Sequence, residues 1–351
     1  MRSVLSSSRF RFVAPFSALA FAEQKADLDR YIGEAIGRYG VPGVAVAVVR
    51  GRDVVSTPQI RMRDLLNGTS GVPRLDTPFF VRRFSPTELI SFVGTIRTVA
   101  APGEVFGYSN AVVAPGGYLA TLADGAEYDS AALSAGYRRL MQERILNPIG
   151  MQSTTFDFDA ALADENHAWP HSYEGARGAV VQTPIDVERF VTSVLPAGGA
   201  WSTLRDMAAY VSTQLSGVAP NGARIVSSSN LVETHTEAIA NLPRDEWPTS
   251  DREGAGYAMG WFTMPDYHGM RALSHDGNTV GSTSEMFLVP EADLGVVVLA
   301  NRGLANDFYG AIEQYAVETA LSLEHRSDAV QSAASEELVN MIEGLAAEAV
   351  P

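Results

Sequence analysis

The strand-forming stretches of this chain sit at its two ends, and that separation constrains the fold more than any other feature. GVAVAVVR (43–50) is a short β-branched run that suits a buried strand. Comparable runs return only at YAMGWFTM (257–264), STSEMFLV (282–289) and LGVVVLAN (294–301). PEAD alone separates the last two, so they read as an antiparallel hairpin. The expected fold class is α/β of the α+β type: an antiparallel sheet built from both ends of the chain, flanked by N- and C-terminal helices, with a mostly helical domain inserted between.

The boundaries follow from the pattern. Leu28, Ile32, Ala35, Ile36 and Tyr39 recur at helical spacing over 23–39, and Gly40 and Pro42 end that run. Residues 23–55 and 195–325 form the expected sheet domain. Residues 56–194 are rich in Pro, Gly and helical fragments such as SPTELISFVGTI (85–96) and AGYRRLMQERIL (135–146), without a strong strand pattern. They form the expected helical domain. Thr203 and Asp206 make a capping-box-like helix start. A helix at about 306–323 carries Phe308, Ile312, Tyr315 and Val317, partly at helical spacing, and an Ala/Glu-rich helix over 326–351 closes the chain. Clefts between such domains are common ligand sites.

Composition removes several function classes. An apolar fraction of 46% supports a sizeable core. A net charge of −15 argues against nucleic acid or anionic lipid as a partner. The absence of cysteine excludes a disulfide framework, a zinc-thiolate site and a cysteine nucleophile. No apolar run is long enough to span a bilayer. Arg2, Arg9 and Arg11 precede FVAPFSALAFA (12–22), which resembles a signal peptide with an A-x-A cleavage site. Pro15 and the long leading segment fit a disordered leader equally. The first reading implies an exported or periplasmic protein, the second a cytoplasmic one.

FGYSNA (106–111) poses the functional question. It can be a loose G-x-S-x-G nucleophile elbow with Ser109 attacking, or a loop in which Tyr108 and Asn110 act and Ser109 is a spacer. An elbow needs a buried strand running into the serine, and APGEVFGY is turn-rich instead.

Several stretches, taken in order, resemble the serine β-lactamase and penicillin-binding-protein superfamily, closest to its class C-like hydrolases and esterases. They are VPGVAVAVVR (41–50), IRMRDLLNGTSGVP (60–73), PGEVFGYSN (102–110), ERILNPIGMQSTTF (143–156), AGGAWST (197–203), GYAMGW (256–261) and LSHDGNTVGSTSEMFLVPEADLGVVVLAN (273–301). The resemblance implies a β-lactamase/transpeptidase-like fold and hydrolysis of a small ester, amide or peptide-like ligand through an acyl-serine. It implies Tyr108 as the acid/base, Asn110 as the orienting amide and His275 as the polar group of the third motif. Gly277 would let substrate lie close to the strand, and the backbone N–H of Asn278 would be an oxyanion donor. No cofactor and no metal is expected.

One part of that pattern is missing. The family's nucleophile and base are a serine and a lysine spaced S-x-x-K on one helix face. The only lysine here is Lys25, and the residue three before it is Ala22. The resemblance places the missing helix, together with a strand, where GRDVV (51–55) runs into STPQIRMRDLL (56–66). Three explanations follow, in this order: a misassembled or truncated gene, a binding relative that has lost catalysis, or a substitute nucleophile. Ser56 has Gln59 three residues on, which cannot serve as base. Ser109 would need His275.

Other motifs point to structure. His167 and His171 have H-x-x-x-H spacing, but Pro170 opposes a helix that would align them as metal ligands. Ser228-Ser-Asn230 reads as a helix-capping loop. Trp169, Trp201, Trp247 and Trp261 are candidates for cleft or core.

Overall fold

A computed structural model describes residues 60–78, 82–174, 179–242 and 254–326, residue 38, and the backbone of 47–50 and 53–56. The expected helices at 23–39 and 326–351, the leader at 1–22 and Trp247 lie outside the described residues, apart from Arg38 and Arg326. The chain divides into two compact units, Met1–Gln59 and Ile60–Pro351.

In the first unit, β1 (Ala47–Arg50) and β2 (Asp53–Ser56) pair antiparallel, with Ala47 opposite Ser56 and Arg50 opposite Asp53. The strand β2 is made from the GRDVV stretch and ends at Ser56, at the junction. Val54 and Val55 are β-branched, and Gly51-Arg52 leaves a two-residue connection, which together favour a hairpin.

The second unit begins with α1 (Met62–Leu66), the helix of the IRMRDLL segment. The helix α2 (Pro86–Thr95) starts where expected. Glu88 accepts hydrogen bonds from Ser85 N and Oγ, and Pro86 takes a first-turn position where no backbone donor is needed. The helix α3 (Asn110–Ala123) is buried along most of its length. Its small residues allow close packing: a Cβ on Gly117 would lie 2.4 Å from Pro196 Cβ. The helix α4 (Ser130–Met141) is capped by Asp129 and continues into a π-helical turn, Gln142–Leu146, within the expected 135–146 segment. Leu89, Ala114, Tyr118, Leu133 and Ile149 form the core of this region.

A hairpin not anticipated from the sequence follows, β3 (His171–Glu174) with β4 (Ala179–Gln182). A 3-10 helix, Ile185–Val194, leads to α5 (Leu204–Ser216). The Thr203 side chain caps α5 by accepting from Asp206 N, and Gly217 ends it at φ 74°. The Ser227 side chain caps α6 (Ser228–His235) by accepting from Asn230 N, so Ser228-Ser-Asn230 is the first turn of the helix and not the expected capping loop.

Five antiparallel strands then run in chain order: β5 (Gly256–Tyr257), β6 (Phe262–Tyr267), β7 (Met270–Asn278), β8 (Thr283–Val289) and β9 (Leu294–Ala300). YAMGWFTM is thus two strands, broken at a turn where Gly260 sits at φ 78°. Alternation along the strands loads both faces of the sheet. Leu273, Leu288 and Trp261 pack with Val211 of α5. Ala272, Phe287 and Val289 pack on the other face with Val317 of α7 (Asn306–Ala320). Phe287 is fully buried, and such a side chain contributes about 1.5–3 kcal/mol.

The helix α7 departs from the expected pattern. Phe308, Ile312 and Tyr315 are exposed, whereas Glu313 and Glu318 are buried. Glu318 accepts from Gln314 Nε2 and, with both oxygens, from Arg326 N, and those donors offset its burial. Among the described residues, no helix is long and apolar enough to cross a membrane.

Candidate functional site

The site begins with a loop that fits only around glycine. Gly107 N donates to Gly68 O at 2.9 Å, and Gly103 N to Thr69 O at 2.8 Å. These bonds fix residues 103–107 against the LLNGTSG segment. Gly68 sits at φ 68°, and a Cβ there would lie 2.7 Å from the Phe106 ring. A side chain at Gly68 would displace Phe106 and disturb the approach to Tyr108.

Ser109 faces inward and is 1% exposed. Its Oγ accepts from Leu75 N at 3.2 Å and donates to Asp76 Oδ1 at 3.3 Å. The same Asp76 oxygen accepts from Asn110 N at 2.8 Å, at the start of α3. Asp76 Oδ2 accepts from Arg74 Nε at 3.0 Å. A carboxylate at a helix N-terminus is favoured by the exposed backbone donors there. The Ser109 hydroxyl is thus engaged by the loop that seats α3.

Tyr108, one residue earlier, faces the sheet. Its ring centroid lies 6.1 Å from His275, 6.1 Å from Phe262 and 6.2 Å from Tyr257. Arg74 Cζ lies 5.8 Å from the same centroid. Burial pushes the Tyr108 phenol well above its ordinary value, and the charges of Asp276 and Asp76 push it further. Arg74 opposes them without reversing the direction. At neutral pH Tyr108 is a neutral phenol that can donate a hydrogen bond. A phenolate base would need a stronger local cation.

His275 is half-buried on β7, facing Tyr108. Its Nδ1 lies 2.8 Å from Asp276 O and its Nε2 lies 3.3 Å from Tyr257 Oη. Burial holds the imidazole below its ordinary value, against the opposing influence of Asp276. Gly277 shares that sheet face, two residues on. Ser284 stands directly opposite on β8, and a Cβ on Gly277 would lie 2.9 Å from its Oγ. The Asn278 side chain is on the other face, where Oδ1 accepts from Thr283 Oγ1 and Leu304 N. Asn110 begins α3, and its side-chain amide has no hydrogen-bond partner among the described residues.

The structure thus brings Tyr108 and His275 together, with Gly277 beside them. The sequence reading missed Asp76, Arg74, Tyr257 and Phe262. Tyr257 lies in GYAMGW but looks like an ordinary core tyrosine, and nothing in the local pattern marks Asp76 as the support of a loop more than thirty residues away. Of the other candidates, His171 Nδ1 contacts the carbonyls of Trp169 and Asn301, and His167 lies in a loop. Trp261 is buried in the core, Trp201 packs edge-on against Phe158, and Trp169 is exposed.

Comparison with known proteins bears on the family and the fold. The family model described as Beta-lactamase matches residues 56–321. An unguisins hydrolase of Aspergillus campestris is 24% identical over 269 residues, covering 74% of this chain and 46% of the relative. A β-lactamase of Escherichia coli is 24% identical over 274 residues, covering 70% of this chain and 64% of the relative. The matched part of the chain therefore spans about half to two thirds of these relatives. An octameric penicillin-binding protein homologue from Pyrococcus abyssi superposes with a TM-score of 0.58 at 21% identity, covering 85% of this chain and 78% of that structure. At that identity the likeness is one of fold.

Proposed function

The chain belongs to the β-lactamase family, and from that premise we propose that it keeps the family's ligand cleft but forms no acyl-enzyme. One observation carries the proposal: the nucleophile and its base are absent, and the remaining candidate serine of the loop is engaged elsewhere. There is no S-x-x-K in the sequence. Ser109 Oγ is held by Leu75 and Asp76. The direction of the Tyr108 shift supports the same reading, since a phenol raised above its ordinary value is a poor base for activating another hydroxyl.

In this reading Tyr108 and Asn110 present the polar side of the cleft, and His275 and Gly277 present the strand side. The backbone N–H of Asn278 would meet a ligand carbonyl. In the same reading residues 56–194 make up the helical domain and residues 195–325 the sheet domain. The ligand is a small ester, amide or peptide-like molecule. The assay is hydrolysis of nitrocefin and of p-nitrophenyl acetate by the purified full chain. The expected result is no saturable turnover above buffer. Saturable turnover that Tyr108→Phe reduces would overturn the proposal.

A second reading has its own support. The family match begins at residue 56, at the junction where the resemblance places the missing helix. A parent gene carrying that segment would encode an active serine hydrolase. The genomic reading frame around Val55–Pro58 tests this directly. A skipped exon or frameshift containing an S-x-x-K would favour the active parent, and an uninterrupted frame would favour the binding relative.

A further inference from the structure

Among the residues facing the site, Tyr257 has no role in the reading above, yet it touches every ring there. It is 2% exposed. Its ring centroid lies 4.8 Å from Phe262, 5.0 Å from Phe106 and 6.2 Å from Tyr108. Its backbone is held on both sides: it pairs with Phe262 across the β5–β6 turn, and its N and O bond to Ile239 O and Ala238 N at 2.8 Å each. A ring so packed, on a backbone so fixed, directs its hydroxyl along one line. That line ends at His275 Nε2, 3.3 Å away.

The other imidazole nitrogen decides what this contact means. Nδ1 lies 2.8 Å from Asp276 O. A carbonyl oxygen only accepts, so Nδ1 must carry the proton. Nε2 is then a bare acceptor, and the Tyr257 hydroxyl is its donor. Free imidazole side chains favour the opposite arrangement, with the proton on Nε2. The protein therefore imposes the less common tautomer with two contacts, one from the backbone next to His275 and one from Tyr257.

We propose that Tyr257 is a positioning residue for His275, holding its ring as the Nδ1–H tautomer with Nε2 committed as an acceptor. His275 then has no N–H left to offer a ligand. It serves the cleft as a wall, and Tyr108 supplies the phenolic donor. This inference rests on the reading that Tyr108 and His275 line the cleft, and its test is made on the ligand-free chain. Its failure is thus distinguishable from a failure of ligand binding or of the no-acylation proposal.

The experiment is long-range 1H–15N correlation NMR of the histidine side chains in the uniformly labelled full chain at pH 7, with His275→Gln to assign the resonance. The wild type should show His275 protonated on Nδ1 and bare on Nε2. Tyr257→Phe, which removes one oxygen from a packed ring, should move the Nε2 resonance downfield, toward an acceptor without a donor, or bring the Nε2–H tautomer into the mixture. Should Tyr257→Phe not fold, 3,5-difluorotyrosine at 257 keeps the ring and makes the hydroxyl a stronger donor, and the Nε2 resonance should then move upfield. A wild-type His275 protonated on Nε2, or an Nε2 resonance that neither substitution moves, would overturn the proposal.

Discussion

Asp76 is the support on which the candidate site rests, and removing it should unfold the site before anything else. Its carboxylate accepts from Asn110 N at 2.8 Å, from Ser109 Oγ at 3.3 Å and from Arg74 Nε at 3.0 Å, with its side chain only 10% exposed. Hydrogen bonds to a charged acceptor contribute about 1.5–3 kcal/mol, and an anion at a helix N-terminus about 0.3–1 kcal/mol. Asp76→Ala removes both and leaves Asn110 N and Ser109 Oγ without their acceptor. The expected loss is about 2–4 kcal/mol. Asp76→Asn keeps one acceptor oxygen and loses the charge, so it should cost about half as much. Equilibrium unfolding in urea at pH 7, followed by far-UV circular dichroism, measures both. An Asp76→Ala chain within about 0.5 kcal/mol of wild type would refute this reasoning. So would an Asp76→Asn chain as unstable as the alanine variant.

Three further outcomes follow from particular contacts. Ser109→Ala should lower stability by about 1–2 kcal/mol in urea unfolding, because Leu75 N loses its acceptor; a variant as stable as wild type would contradict that contact. His235 is pushed down to about 4 by burial, aided by the charge of Arg271. The unfolded chain binds a proton near pH 6.5 and the folded chain does not until about 4. Stability from this group is therefore full above pH 6.5 and falls as the pH drops toward 4. The loss is at most about 3 kcal/mol, and about half that after solvent screening. Urea midpoints at pH 7 and pH 4.5 should differ less in His235→Gln than in wild type, and an equal difference would contradict the assignment. Gly281→Ala should cost about 1–3 kcal/mol, read as a lowered Tm, because its Cβ would lie 2.3 Å from Pro170 Cβ and 2.8 Å from His171 N; an unchanged Tm would show that the hairpin gives way freely.

The legible parts of the fold were those set by local chemistry. Thr203 with Asp206 announces a helix start that the structure contains, and SPTELISFVGTI (85–96) becomes a helix. PEAD becomes a 3-10 turn closed by Asp293 in the left-handed region. The break inside YAMGWFTM was not legible, because the run is continuously apolar and only Gly260 hints at the turn. The buried glutamates of α7 were hidden for a related reason: helical periodicity marks apolar faces, and Glu318 is buried through donors that arrive from Arg326 after the helix has ended. At the site, resemblance singled out Tyr108 and His275, and the turn-rich approach already spoke against Ser109. The commitment of Ser109 to Leu75 and Asp76, and of His275 to Tyr257, depends on tertiary contacts that no spacing in the sequence encodes.

The central claim is that this chain keeps a cleft without a working nucleophile. Its most direct test is intact mass after incubating the folded full chain with a fluorophosphonate, followed by peptide mapping of any adduct. The account predicts an unmodified mass on a protein that still unfolds cooperatively. Rapid stoichiometric addition to one serine would contradict it. An adduct on Ser109 would mean the loop had rearranged, and one on Ser56 would mean a site rebuilt at the junction.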